Sequence, residues 1–359
     1  MQGETPQVRL DNSQLTMTDT GDSQGMILQG PDALLSLENE SEFILTGAGV
    51  GTSENIQIGN NNDRPELSVT GASTLSVSTT SGAVIPTETA NNALHLRGTE
   101  PKATISGGSK LNVSVTSYNR RGFYLNGENA ELEVSNSQLN VRTAAGQALS
   151  LLGLSPIVKM IKSSSEIETT TGIGVDLSGD DALFQLDETK SAIRSNSGQR
   201  MNLIGETPTL SLVNSQLEMA TSTGRGIYLQ GATPQVLLDN SHLAMTDTGD
   251  SQGMILQGTD ALLSLDNKSE FTLNSAGLGY SENIQIGNNN DRPELSVIAG
   301  SKLSVTTTSP AVLPTDTANN ALHLRGSEPK TTIDGGSELN ISVTNNNRRG
   351  FYLNGKMQS

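Results

Sequence analysis

Cysteine and tryptophan are both absent from this chain, and aromatic residues of any kind make up 3% of its 359 positions. Without cysteine there are no disulfides, so stability must come from packing and hydrogen bonds. A compact domain of this length usually anchors its core on aromatic rings; so few of them point instead to a thin core of stacked aliphatic side chains. Hydrophobic residues are scarce as well, at 33%. That level is compatible with disorder, but the strict alternation of apolar residues argues against it. Positive charge is the third shortage: 22 Lys and Arg against 38 Asp and Glu leave a net charge of −16. Nucleic acid is therefore not expected as a partner, because phosphate binding needs a basic face. No run of about 18 apolar residues is present to span a membrane. After Met1 the sequence QGETPQVRL has neither the basic nor the apolar region of a signal peptide.

What the chain does contain is a recurring coil, shown most plainly by residues 226–248, GIYLQGATPQVLLDNSHLAMTDT. Ile227 and Leu229 alternate with Tyr228 and Gln230, and Gly231 closes the run. Val236 and Leu238 form a second run. After Asp239 and Asn240, Ser241, Leu243 and Met245 form a third. A period of two in short runs punctuated by Gly, Asn and Asp reads as three strands per coil.

A serine followed two residues later by Leu, Ile or Phe marks each coil: Ser13, Ser41, Ser73, Ser109, Ser137, Ser165, Ser191, Ser215, Ser241, Ser269, Ser301 and Ser337. The expected fold is all-β, a right-handed parallel β-helix (solenoid) of about twelve three-stranded coils, the hand following the usual crossover rule. Each marker serine shares the inward side with its apolar partner. The serines are therefore expected to form an internal ladder whose hydroxyls bond one another or turn carbonyls.

The spacings between markers are 28, 32, 36, 28, 28, 26, 24, 26, 28, 32 and 36 residues, and the series begins to repeat at its ninth member. Residues 5–69 align with 233–297 with eleven differences in 65 positions. The chain thus reads as one continuous β-helix, 1–359, in which 5–127 recurs as 233–355 and 128–232 are the intervening coils. Because Thr5 to Leu10 already reads as the second strand of a coil, the chain is expected to be cut from a longer array. The two longest coils carry their extra residues in Ser78 to Thr89 and Thr306 to Thr317, expected as side loops.

Catalysis on such a scaffold needs clustered carboxylates, with a cation or a basic residue beside them. Asp180 and Asp181 form the chain's Asp pair, but the alignment puts them in a turn. His95, His242 and His323 fall in different columns or are duplicates, which suggests no metal site or triad. TDTGDSQG, at 18–25 and 246–253, lacks the spaced carboxylates of a calcium loop. No catalytic residue, metal or cofactor is expected, and the chain is read as not an enzyme.

The outward column of the first strand is the candidate binding face: Ile27, Gln57, His95, Tyr124, Ser150, Asp176, Asn202, Tyr228, Ile255, Gln285, His323 and Tyr352. Tyr124, Tyr228, Tyr352, His95 and His323, flanked by Arg97, Arg121, Arg225, Arg325 and Arg349, are expected to stack on sugar rings or to dock a protein surface.

The coil pattern G-[IFM]-x-L-x-G, then a short strand, then [NG]-[SG]-x-L, resembles the pectate-lyase-like adhesive domains of Gram-positive bacterial surface proteins. The resemblance implies an extracellular, cell-surface or cell-wall adhesin and stalk without lyase activity. It would present a side face to a host glycan or extracellular protein, with end-to-end or side contacts between β-helices. Two alternatives stand beside it. One is a polysaccharide lyase or hydrolase built on the same helix. The other is an ice-binding protein, suggested by threonine pairs such as TMTDT at 16–20.

Overall fold

The computed structural model describes residues 1–21, 25–48, 54–80, 92–117, 120–249, 251–276, 282–288, 291–308, 320–344 and 348–355, with backbone only at Ser251. Among these residues there are thirty-six β-strands and no helix, three strands to a coil. The fold is an all-β parallel solenoid. We call the sheets 1, 2 and 3 in the order of the coil formed by Gly224–Gln230, Gln235–Asp239 and His242–Asp247. Two compact units are distinguished: Met1–Gly179 with Glu188–Ser191, and Asp180–Asp187 with Ala192–Ser359.

Within the first unit each strand pairs in parallel with the strand one coil further on. In sheet 2, for example, Lys102–Ser106 pairs residue for residue with Glu131–Ser135. The same holds in the second unit, where Gln235–Asp239 pairs with Leu262–Asp266. Alternation delivers the core: Leu94, Leu96, Phe123, Leu125, Leu149 and Leu151 of the first unit are fully buried, as are Met201, Leu203, Ile227 and Leu229 of the second. The inward places read from the sequence are therefore occupied as expected.

The turn between sheets 2 and 3 explains the frequency of Asn. In every coil the residue before the ladder position has a positive φ, from Asn12 at 43° to Gly108 at 82°. Asn and Gly enter this left-handed region readily, whereas other side chains are strained there. Five coils are exceptions, with Glu40 at 62°, Ala72 at 61°, Lys162 at 50°, Glu188 at 46° and Lys268 at 64°. At the end of sheet 1 a glycine is needed for a different reason. A Cβ on Gly153 would collide with the carbonyl oxygen of Gly127, one coil away.

The serine ladder is present, with a regular geometry. The N–H of Ser41 donates to Ser73 Oγ at 3.1 Å, and the N–H of Ser73 donates to Ser109 Oγ at 3.1 Å. In the second unit Ser241 and Ser269 make the same bond at 3.1 Å each, to Ser269 and Ser301. The hydroxyls turn back and donate to carbonyls of their own turns, as Ser241 Oγ does to Asp239 at 2.7 Å. At these positions the buried amide and the hydroxyl thus both find partners.

Two members of the expected ladder are wrong. The N–H of Ser137 donates to Ser163 Oγ, and that of Ser163 to Thr189 Oγ1, both at 3.2 Å and both across 26 residues. Ser165 instead stands in register with Leu139, and Ile167 with Val141. Ser165 and Ser191 therefore occupy a core column, two residues beyond the ladder. Counted through Ser163 and Thr189, the 28, 26 and 24 spacings become 26 each.

Asp180 and Asp181 are exposed in a turn, where the carbonyl of Asp180 accepts the Thr207 N–H at 2.7 Å and Asp181 Oδ1 accepts the Thr207 hydroxyl at 2.8 Å. Residues 22–24 and 250 of the TDTGDSQG turns, and 81–89 and 309–317 of the expected side loops, lie outside the described residues. Among the described residues there is no helix long and apolar enough to cross a membrane.

Candidate functional site

The sheet-1 column inferred from alternation exists in the register. In the first unit Gln57 pairs with His95, His95 with Tyr124, Tyr124 with Ser150, and Ser150 with Asp176. In the second, Asn202, Tyr228, Ile255, Gln285, His323 and Tyr352 follow one another in the same way.

Much of the column is closed to solvent, against the expectation of an exposed face, although Tyr228 and Tyr352 are only half-buried. His95 is 2% exposed, Tyr124 5% and His323 3%. The physical reason is that these planar side chains lie on one another. The His95 and Tyr124 rings stack with centroids 4.8 Å apart at 25°, and the Arg121 guanidinium sits 4.5 Å from the Tyr124 centroid. With His95 stacked against it and a cation over the ring, Tyr124 has no free face on which a sugar can stack.

Sequence reasoning missed the groups that fix this stack. His95 Nδ1 lies 3.1 Å from Glu54 Oε1, and Asn92 Nδ2 lies 3.4 Å from each of those atoms. Burial pushes the Glu54 carboxyl up. The hydrogen bond and charge of His95, with help from a backbone N–H and from Asn92, more than offset this and leave it below the usual carboxylate value. The other imidazole nitrogen, His95 Nε2, is buried and has no hydrogen-bond partner among the described residues. Beneath the stack Arg120 is almost fully buried, its Nη1 donating to Asn55 Oδ1 and to the Asn92 carbonyl at 3.3 Å each. Burial raises the Tyr124 phenol; the charges of Arg121 and Arg97 oppose that rise and Asp176 adds to it.

The second unit repeats the cluster. His323 Nδ1 lies 3.1 Å from Glu282 Oε1, the His323 and Tyr352 rings are 5.0 Å apart, and Arg349 sits 4.5 Å from the Tyr352 centroid. Arg348 Nη1 donates to Asn283 Oδ1 at 3.0 Å, as Arg120 does to Asn55. The Glu282 carboxyl is likewise lowered, with burial opposing and His323 prevailing. Tyr228 stands apart. It has Arg225 at 4.9 Å but no histidine beside it, and its hydroxyl lies 2.7 Å from the amide oxygens of both Gln230 and Gln257. Arg97 and Arg325 stand on the same strands as His95 and His323, half-buried.

A signal for the missed partners was present in the sequence. The 41-residue separation of Glu54 and His95 recurs between Glu282 and His323, and both arginine pairs follow Asn in NRRG. Chemically, the cluster is an imidazole oriented by a carboxylate beneath a cation-capped phenol. Among the described residues no group of three His, Asp or Glu side chains could hold a metal ion. Comparison with family models, curated proteins and solved structures returned no match.

Proposed function

We propose that this chain belongs to a non-catalytic adhesin or stalk at a bacterial cell surface, presenting the sides of its solenoid to glycans or extracellular proteins. The observation that carries the reading is the duplication of one side-chain cluster. Glu, His, Tyr and Arg recur in both units with a Glu–His distance of 3.1 Å and an Arg–Tyr distance of 4.5 Å. His95, His323 and Tyr124 are largely covered, but Arg121 and Arg349 stay partly exposed; a surface repeated in this way raises avidity without any new contact, whereas chemistry gains little from a second copy on the same chain. The resemblance of the coil pattern to pectate-lyase-like adhesive domains of Gram-positive surface proteins supports the same class by analogy.

A second reading, a polysaccharide lyase or hydrolase, draws on the Glu54–His95 pair. A carboxylate that orients an imidazole with a free Nε2 is the geometry of a general base. One experiment separates the two. The purified chain is applied to an array of glycans and matrix proteins, and the same polysaccharides are assayed for unsaturated or shortened products. Binding without product supports the adhesin; product formation overturns it.

A further inference from the structure

In the first unit the sheet-1 face carries two guanidinia, Arg97 and Arg121, that make no ion pair among the described residues. Two other arginines of that unit are ion-paired: Arg64 with Asp32 at 2.8 Å, and Arg142 with Glu166 at 2.8 Å. Among the described residues Arg97 and Arg121 have no such carboxylate partner. Arg121 makes one neutral hydrogen bond, from Nε to Gln147 Oε1 at 2.7 Å. Arg97 Nε is buried and has no hydrogen-bond partner among the described residues. The Arg121 guanidinium sits 4.5 Å from the Tyr124 centroid, and Arg97 pairs in register with Asn126, two residues beyond Tyr124 on its strand. The column's own carboxylate, Asp176, is two strands beyond Tyr124 and accepts from Gln147 Nε2 at 3.3 Å.

Two neighbouring cations left unpaired, in a chain of net charge −16, are costly as a purely structural arrangement. We propose that Arg97 and Arg121, on either side of Tyr124, form a binding site for the carboxylate or sulfate group of an acidic glycan. The proposal rests on the adhesin reading and names its ligand class.

Guanidinium is the group suited to this task, because its planar fork matches an oxyanion with two parallel hydrogen bonds. The neighbouring side chains at this face, half-buried Asn126 and Gln147, are neutral amides of the kind that bond sugar hydroxyls. An acidic peptide is the less favoured occupant. Extended peptides are captured through a free sheet edge, and here Asn92–Arg97 is paired on both sides, as is Arg121–Asn126. Recognition at this face must therefore run through side chains.

The test uses the full chain carrying Arg325→Gln and Arg349→Gln, so that the second copy of the cluster does not mask a loss in the first. Calorimetry measures its binding to a polyuronate, a sulfated polysaccharide, a neutral glucan and poly-glutamate. The expected result is binding to one or both acidic polysaccharides, weakened by salt. Adding Arg97→Gln and Arg121→Gln should weaken it about tenfold or more, while Arg64→Gln should leave it unchanged. Arg121 also covers Tyr124, so Arg97→Gln alone replaces the double change if the latter lowers the melting temperature. Equal binding after either change overturns the proposal, as does preference for the neutral glucan or for poly-glutamate, or no binding to any acidic polysaccharide. Those outcomes leave the adhesin reading standing if the chain binds another ligand on the array. Release of product from any polymer would instead remove the adhesin reading itself.

Discussion

Ser165 Oγ and Ser191 Oγ lie 2.5 Å apart inside the first unit, in a core column that neighbouring coils fill with leucine. Each hydroxyl is the other's partner, so the pair is satisfied without water. Ser165→Ala alone should strand the Ser191 hydroxyl and cost about 1 to 3 kcal/mol, whereas changing both to alanine should cost less than the single change. Urea denaturation of the two single variants and the double variant measures this. A double variant less stable than either single would contradict the assignment.

Leu243 is fully buried in a core one side chain thick. Leu243→Asp should therefore unfold the coils around it, with a loss of several kcal/mol. An unchanged melting temperature would refute its inward placement.

Glu188 holds a φ of 46° that an ordinary side chain resists. Glu188→Asn, the residue other coils use at this turn, should raise stability by about 0.5 to 1 kcal/mol. The exposed contact with Lys162 at 3.8 Å that it removes is worth little. A fall in the melting temperature would show that the ion pair outweighs the backbone.

The Glu54 and Glu282 carboxyls sit below their ordinary value of 4.5, with burial opposing the shift and the paired histidines driving it. A depressed folded pKa contributes stability that is fully present above the unfolded pKa and lost as pH falls through the folded value. The wild type should therefore lose stability through this range. The Glu54→Gln, Glu282→Gln variant should be less stable at neutral pH and show a shallower acid limb. Denaturation midpoints from about pH 6 to about pH 3 test this; parallel curves would exclude the pairs as the source.

Arg200 is buried in the second unit with Nε and Nη2 unpartnered among the described residues, and its Nη1 fills the space that a Cβ on Gly226 would enter, 2.7 Å from that point. Burial brings its pKa down to about 10 against the opposing charge of Asp247. Asp247 is buried too, and its Oδ2 accepts the Ser275 hydroxyl at 3.1 Å. Arg200→Met should destabilise by leaving Asp247 uncompensated. Adding Asp247→Ser should recover part of the loss, giving a coupling of about 1 kcal/mol or more in a double-mutant cycle. Additive losses would show that the two charges do not communicate.

Alternation was enough to read the solenoid, because inward Leu, Ile and Val leave a period of two that a thin core cannot hide. It was also enough to place His95 and Tyr124 in one column. It did not distinguish a side chain that faces away from the core from one that faces water. Tyr124 points outward and is nonetheless covered by His95 and Arg121, which alternation has no means to register. Glu54 and Arg120 were missed for a related reason. Each lies at the edge of a strand, where the chain turns and a period of two ceases to say which way a side chain points. The error at Ser165 was of another kind: a serine two places from the true ladder position satisfies the same local pattern, and only pairing with Leu139 separates them.

The ladder bond runs from the N–H of one serine to the hydroxyl of the serine or threonine one coil later, whether the coil between them holds 26 residues or 36. The coils therefore have a reading frame of their own, counted from ladder residue to ladder residue rather than in amino acids. A deletion or insertion that spans one whole frame leaves every amide with an acceptor and each core column unbroken. One that stops two residues short shifts the inward side chains past their neighbours. Recombination between the 228-residue repeats stays in frame automatically, so such a gene can change length by repeats without generating misfolded intermediates.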